Sequence, residues 1–301
     1  MTSAGRRPAR PLAVALALAA ASGCGGSGSG TTAPPPGSAA SAPATDASAA
    51  GTTAATTSSS DAAATTRGAA AAPVPTPTTT RGPVVVGLGN SVPSGSACSC
   101  VNFVKGYAQM VAAATGSPTT VDNDAVAGST SADVVNLLAK ATVQAHVRAA
   151  TTVLIMTGAN DFNDAFDAVS LGAPAATTFG PVATAVQDNV TAAVQKILAL
   201  NPSAHVVVLD YWAAMEDGAV AARDYDPPTM AASVASTDYV NDALAVAAKA
   251  TGALYVSTYT AFKGQAGTSD PTPLLAPDGD HPNAAGHQLI ARTVYAALPN
   301  G

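Results

Sequence analysis

The sequence predicts an α/β fold, a parallel sheet with helices on both of its faces. Three observations carry that expectation. From residue 83 onward, short β-branched and aliphatic runs alternate with longer segments of helical period. The runs are continuously apolar rather than apolar on alternate residues, the pattern of strands covered on both sides. Strand and helix lengths also match repeated βα units, which close into a parallel sheet rather than hairpins.

The elements follow in order. Val84-Val85-Val86-Gly87-Leu88 is a β-branched run stopped by glycine, hence a strand. Phe103–Ala114 reads as a helix ending at Gly116. Residues 131–149 read as one helix, with Val134, Val135, Leu138, Val143 and Val147 at helical spacing and Ser131 as its N-cap. Val153–Met156 is a second buried strand, and residues 182–199 form a helix with Val186, Val190, Val194, Ile197 and Leu198 on one side. Val206–Leu209 is a third strand, residues 238–250 are helical up to Gly252, and Leu254–Val256 is a fourth strand. Asn283 is placed to cap a last helix running through Ala297. No internal repeat is present.

Composition separates this folded part from what precedes it. Hydrophobic residues make up 48% of the 301-residue chain, but charged residues only 11% and aromatics 4%. A folded surface ordinarily carries about a quarter charged residues, and the shortfall lies in the first eighty positions. Arg6, Arg7 and Arg10 precede the apolar run Leu12–Ala21, which is shorter than the ~20 residues a bilayer requires. Residues 1–23 therefore read as a signal peptide. It ends in Ala21-Ser22-Gly23-Cys24, which resembles a bacterial lipoprotein processing site with Cys24 as the lipidated residue. Plain cleavage and release is the alternative. Residues 24–82, rich in Ala, Ser, Thr, Pro and Gly, hold too little large apolar surface to offset ordering entropy and are expected to be a disordered tether. The folded domain is expected over 83–301, large enough for one sizeable core. Residues 82–301 hold eight basic and seventeen acidic residues. Such an acidic domain without a basic stripe does not have the look of a nucleic-acid binder. The expected setting is extracytoplasmic, as a cell-surface lipoprotein or a secreted protein, with membrane contact through a lipid on Cys24 and a monomeric state.

With Cys24 set aside, Cys98 and Cys100 remain. A local disulfide and two free thiols are both open, although a Cys-x-Cys bridge closes a very small ring. A metal site is the least expected reading, because no His cluster accompanies the pair in sequence.

In open parallel sheets, ligands bind outside the carboxyl ends of the strands. The polar residues just past each strand are therefore the candidates. Gly89-Asn90-Ser91 follows the first strand, Gly158-Ala159-Asn160-Asp161 the Val153–Met156 strand, and Asp278-Gly279-Asp280-His281 precedes the last helix. A serine hydroxyl is a weak nucleophile until a base takes its proton, and His281 suits that task. Asp278 suits the carboxylate that orients the imidazole, with Asp280 beside it as a competitor. Asn160 carries a side-chain N–H able to meet a developing oxyanion.

These blocks resemble those of the SGNH (GDSL-like) hydrolase family. Gly89-Asn90-Ser91 matches its Gly-Asp-Ser block, Gly128 its glycine after the second strand, Gly158–Asp161 its Gly-x-Asn-Asp block, and Asp278–His281 its Asp-x-x-His block. Pro282–His287 continues in the family's manner, and the likeness spans roughly residues 84–297. The resemblance implies a flavodoxin-like three-layer α/β/α sandwich around a mostly parallel five-stranded sheet. It implies Ser91 as nucleophile, His281 and Asp278 as the rest of a triad, and an oxyanion hole from Ser91 N–H, Gly128 N–H and the Asn160 amide. It implies ester hydrolysis with no metal or organic cofactor. Asn90 departs from the family's usual Asp, a loop organiser, and keeps its shape and acceptor while losing the charge. No Gly-x-Ser-x-Gly elbow follows a strand, which disfavours an ordinary α/β-hydrolase.

The expected function is thus an exported serine ester hydrolase, esterase- or lipase-like or a carbohydrate O-deacetylase. The alternatives are a non-catalytic lipoprotein that binds acylated glycan or lipid, and an acyltransferase. The substrate partner is a small-molecule, glycan or lipid ester. Other polar residues have plainer expectations. His146 and His205 are structural, His287 packs or faces solvent, and Asp161 braces its loop. Tyr211 and Trp212 either fill the core or line the substrate mouth. Asp122, Asp124, Asp224 and Asp226 read as solvated loop residues without calcium-ligand spacing.

Overall fold

The computed structural model describes residues 82–298. The signal peptide expected over 1–23, the Cys24 anchor and the tether over 24–82 (Gly82 excepted) lie outside the described residues. In chain order the elements are β1 (Val84–Gly89), α1 (Ser91–Ser94), α2 (Phe103–Thr115), β2 (Thr120–Asn123), α3 (Ser131–Leu137), α4 (Ala141–Ala149) and β3 (Thr152–Met156). A 3₁₀ turn (Ala159–Phe162), α5 (Asn163–Ser170), α6 (Ala175–Leu200), β4 (His205–Leu209), α7 (Gly218–Asp224) and α8 (Pro227–Thr251) follow. β5 (Leu254–Val256), α9 (Thr258–Lys263), a second 3₁₀ turn (Thr272–Leu274) and α10 (Ala284–Ala297) complete the chain.

The strands form one five-stranded sheet in the order β2-β1-β3-β4-β5, with every pair parallel. Val86 pairs with Val153, Val153 with Val206, and Val207 with Leu254, so the apolar runs lie in register across the middle of the sheet. Helices α2 and α10 pack on each other, with α2 also against β1 and β2. Helices α6 and α8 pack together, and α3, α4 and α5 join them. The three-layer α/β/α architecture expected from the sequence is present, with an all-parallel sheet rather than a mostly parallel one. Among the described residues, no helix is long and apolar enough to cross a membrane.

Local chemistry sets the boundaries. Helix α2 buries Phe103, Val104, Tyr107, Ala108 and Val111 along one stripe and ends at Gly116, whose φ of +66° suits a left-handed cap. Gly252 ends α8 in the same way at φ +75°. Asn283 caps α10 by accepting from Ala285 N–H and Gly286 N–H.

Four readings need correction. Residues 131–149 are two helices, broken across Leu138–Lys140, because the apolar spacing continues through the break and periodicity cannot register it. The N-cap is Thr130, not Ser131: Thr130 and Asp133 form a reciprocal capping box, a stronger stop than a serine already inside the helix. Helix α6 begins at Ala175 rather than 182, with Pro181 inside it. Helix α8 begins at Pro227 rather than 238, with prolines in its first turn, where their missing N–H costs nothing. Strand β2 was not visible as an element, since its Thr-Val-Asp-Asn sequence is a short, partly exposed edge.

Candidate active site at the carboxyl edge of the sheet

Strand β1 leads outward to β2, and the chain then returns to β3 on the other side of β1. The crevice between β1 and β3 is therefore the topological switch point, where the fold leaves room for a ligand. Gly89 ends β1 at φ +130°, and Asn90 N–H donates to Met156 O at 3.1 Å, holding the two strand ends together. Asn90 is 2% exposed. Its side-chain oxygen accepts from Val92 N–H at 3.2 Å, and its Nδ2 donates to the Tyr211 hydroxyl at 2.8 Å. This loop is thus organised by a neutral amide, and no charge is needed at a position so far from water. Ser91, partly buried, stands just past this junction.

Two further loops close on the same edge. Ser129 Oγ donates to Gly89 O at 2.9 Å, and Val126 N–H donates to the same oxygen at 2.9 Å. Gly128 has φ +79° and open space where a Cβ would project, so its glycine answers a backbone conformation rather than a close neighbour. Asn160 Nδ2 donates to Ser129 O at 2.9 Å, which leaves one amide hydrogen free to point elsewhere. Asp161 braces the loop as expected, accepting from Ser131 N–H at 2.8 Å and Ser131 Oγ at 2.6 Å. Burial raises its pKa, and the Ser131 hydrogen bonds oppose that rise.

The third component is the loop before α10. Asp278 Oδ2 lies 2.9 Å from His281 Nδ1, while Oδ1 accepts from the N–H groups of Asp280 at 3.1 Å and His281 at 3.0 Å. Partial burial works to raise the Asp278 pKa, but hydrogen bonds from the His281 backbone and ring and from Asp280 N–H hold it below the ordinary carboxylate value. Asp280 Oδ2 is farther from the same ring nitrogen, at 3.6 Å. Gly279, at φ +74°, sits against Val220 and gives its carbonyl to Asp217 N–H, so α7 anchors the loop. The structure therefore brings Asp278 to His281, and Gly128 and Asn160 to the end of β1. Among the described residues, no hydrogen bond joins the Ser91 hydroxyl to His281, a contact that is often loose in free enzymes.

The remaining singled-out residues resolve plainly. Tyr211 and Trp212 are 2% and 1% exposed, so both belong to the core, with Trp212 stacked on Phe262 at 4.3 Å. His146 binds Asp124 at 2.9 Å, so that acid is not simply solvated. Asp122 lies in β2, and Asp224 lies in the last turn of α7 and pairs with Arg223, which corrects the loop reading of these two; Asp226 keeps it, exposed just before α8, whose N-cap it forms. His205 is exposed at the start of β4. Asp210, just past β4, is a further organising residue, outside the candidates named from the sequence. Its carboxylate accepts from Tyr255 OH at 2.8 Å and Tyr259 N–H at 2.9 Å and fastens the turn between β5 and α9. Its position past a strand end was the available signal.

His287 is fully buried, and burial first, with the nearby His281 second, lowers its pKa from 6.5 to about 4. As pH falls below 6.5 the unfolded chain takes up a proton that folded His287 refuses. Its contribution to stability is thus complete above pH 6.5 and is lost as pH falls toward 4, on the order of 3 kcal/mol in all. Urea midpoints at pH 7 and pH 4.5 should show this loss, and His287→Gln should reduce the difference. An identical pH dependence in the variant would disprove it.

Gly128 also separates two hollows. One, of about 390 Å³, is lined by Val126, Ala127, Val134 and Leu137 together with Asp133 and Lys140; the other, of about 630 Å³, by Thr130, Asn160 and Asp164 together with Pro181, Val182 and Ala185.

A switch-point serine, an Asp-x-x-His loop and amide donors on neighbouring strand ends define the class: an α/β/α hydrolase fold with its polar residues gathered at one sheet edge. The chain belongs to the GDSL-like Lipase/Acylhydrolase family, whose model matches residues 88–289. Three solved structures share the fold. A lipase from a goat rumen metagenome is 16% identical, covers 71% of this chain and 97% of its own, and has a TM-score of 0.58. An extracellular lipase from Streptomyces rimosus is 23% identical, covering 72% and 100%, with a TM-score of 0.53. A phospholipase A1 from Streptomyces albidoflavus is 22% identical, covering 72% and 100%, with a TM-score of 0.51. No curated protein matches the sequence.

Proposed function

We propose that this hydrolase-family chain is a serine ester hydrolase. The observation that carries the reading is the 2.9 Å contact between Asp278 and His281 Nδ1 in a loop at the sheet edge that also holds Ser91 and Asn160. Asp278 fixes the tautomer in which His281 Nε2 is bare, so that nitrogen takes the Ser91 proton as Oγ attacks the ester carbonyl. The oxyanion is met by Ser91 N–H, Gly128 N–H and the free hydrogen of the Asn160 amide. His281 then gives its proton to the departing alcohol. Water attacks the acyl-enzyme by the same route, and neither metal nor organic cofactor enters a step.

The two hollows that share Gly128 support an ester with its acyl and alcohol parts on either side of that oxyanion donor. Short-chain, acetylated-glycan and lipid esters share that form. An exported, membrane-tethered setting rests on the basic and apolar start and on Cys24. Asn90 does not argue for a non-catalytic binder, because its amide completes the loop that a charge would otherwise serve.

A fluorophosphonate probe followed by peptide mass spectrometry tests the reading. A single adduct on Ser91 is expected, and an unlabelled, folded protein would refute it. Asn160→Ala should lower kcat for p-nitrophenyl acetate about 10²–10³-fold with little change in KM, as loss of one oxyanion donor does. An unchanged kcat would remove Asn160 from the mechanism.

A further inference from the structure

Three features coincide in the loop between α1 and α2. Ala97 is the one non-glycine residue with positive φ among the described residues, at +57°, a conformation unfavourable to a side chain with a Cβ. Directly after it, Cys98 and Cys100 are joined by a disulfide across a single intervening residue, and both are only partly buried. Third, a ring nitrogen of the fully buried His287 and the two sulfur atoms lie within 4.8 Å of one another.

The hydrogen bonds of His287 decide what this trio can do. Its Nδ1 accepts from Phe103 N–H at 3.3 Å, so the neutral ring carries its proton on Nε2. That Nε2 is buried without a partner. A buried N–H with no acceptor is unfavourable, and a thiolate within reach of Nε2 would supply the acceptor. Cys100 also lies two residues before Asn102, the N-cap of the 13-residue helix α2, whose positive end favours a thiolate. A metal ion fits less well. Binding at Nε2 would move the proton to Nδ1, where it would face the Phe103 N–H.

We propose that Cys98–Cys100 is a redox-active disulfide that exchanges with small-molecule thiols, with His287 Nε2–H donating a hydrogen bond to the thiolate released on opening. In the first step the thiolate of the small molecule attacks one sulfur, forming a mixed disulfide and expelling the other as thiolate. A second small-molecule thiolate then displaces the first, leaving two protein thiols after protonation and one oxidised small-molecule disulfide. Small-ring, accessible disulfides are the ones such thiols open, unlike buried structural bridges. The proposal gives none of the three residues a part in ester hydrolysis.

The full chain carrying Cys24→Ser, so that only these two thiols report, is equilibrated in glutathione buffers, alkylated and weighed. Reduced glutathione at roughly 5 mM should open the bridge in most molecules; a bridge that stays closed overturns the proposal. In the reduced protein, thiolate absorbance at 240 nm should titrate below the ordinary thiol pKa of about 8.5, and His287→Phe should raise that midpoint by about one pH unit. Single Cys98→Ser and Cys100→Ser chains give the same reading if His287→Phe fails to fold, and ordinary midpoints in both overturn it. Retention of Zn²⁺ by the reduced protein against a chromophoric chelator would also overturn it, by making the trio a metal centre.

Discussion

Replacing Ser91 by alanine is expected to lower ester turnover by about four orders of magnitude or more while leaving the protein folded. The size follows from the role: without its nucleophile, a triad enzyme retains only the acceleration due to the oxyanion hole and binding. The folding half of the expectation is structural. The Ser91 backbone oxygen accepts from Ser94 Oγ at 2.8 Å and from the N–H groups of Gly95 and Ser96, whereas its hydroxyl enters no hydrogen bond among the described residues. Alanine therefore removes the reactive oxygen and leaves the turn intact, with an expected stability change within about 0.5 kcal/mol. Initial rates with p-nitrophenyl acetate, beside urea midpoints for both proteins, check both halves. Equal rates would end the ester-hydrolase assignment.

Gly89→Ala should do the opposite and damage the frame on which Ser91 stands. Gly89 has φ +130°, a conformation that side-chain-bearing residues rarely adopt, and an added Cβ would run into the Met156 carbonyl oxygen of β3. That oxygen is also the acceptor for Asn90 N–H. The substitution must therefore separate β1 from β3 at the switch point or distort the Asn90–Ser91 turn. A loss of more than about 4 kcal/mol is expected, because strain and a displaced backbone bond act at one place. Urea denaturation measures the loss, and fluorophosphonate labelling of whatever fraction stays folded reports the turn. A midpoint equal to that of the unsubstituted protein would show that the edge yields more easily than its geometry suggests. Gly128 offers a contrast, since its added Cβ would meet nothing within 4 Å and only its φ opposes substitution.

Much of this arrangement was legible before folding. Continuous apolar runs marked β1, β3 and β4, and Gly116, Gly252 and Asn283 marked helix ends, because caps and periodicity act within a few residues. The order of the short polar blocks pointed to one edge of a parallel sheet. What escaped has physical causes. The break at Leu138–Lys140 keeps the apolar spacing on both sides and leaves Leu138 fully buried, so no polar interruption betrays it. Strand β2 borders the sheet on one side only, and its polar residues carry no buried-strand signature. The fate of His287, a buried ring against Phe103 N–H, depends on a contact 184 residues away.

By itself, then, the sequence determined which residue types stand at the ends of which elements, and hence the α/β class and the candidates Ser91, Gly128, Asn160, Asp278 and His281. The pairing of Asp278 with His281 was within its reach as well, since four consecutive residues of one turn hold both groups. Only the tertiary structure decided that Asn90 leans on Tyr211 across 121 residues, that Asn160 ties to Ser129, and that Cys98 and Cys100 lie beside His287. The reason is that strand order, set by burial of the whole sheet between its helix layers, chooses which distant ends become neighbours, and no local spacing encodes that choice.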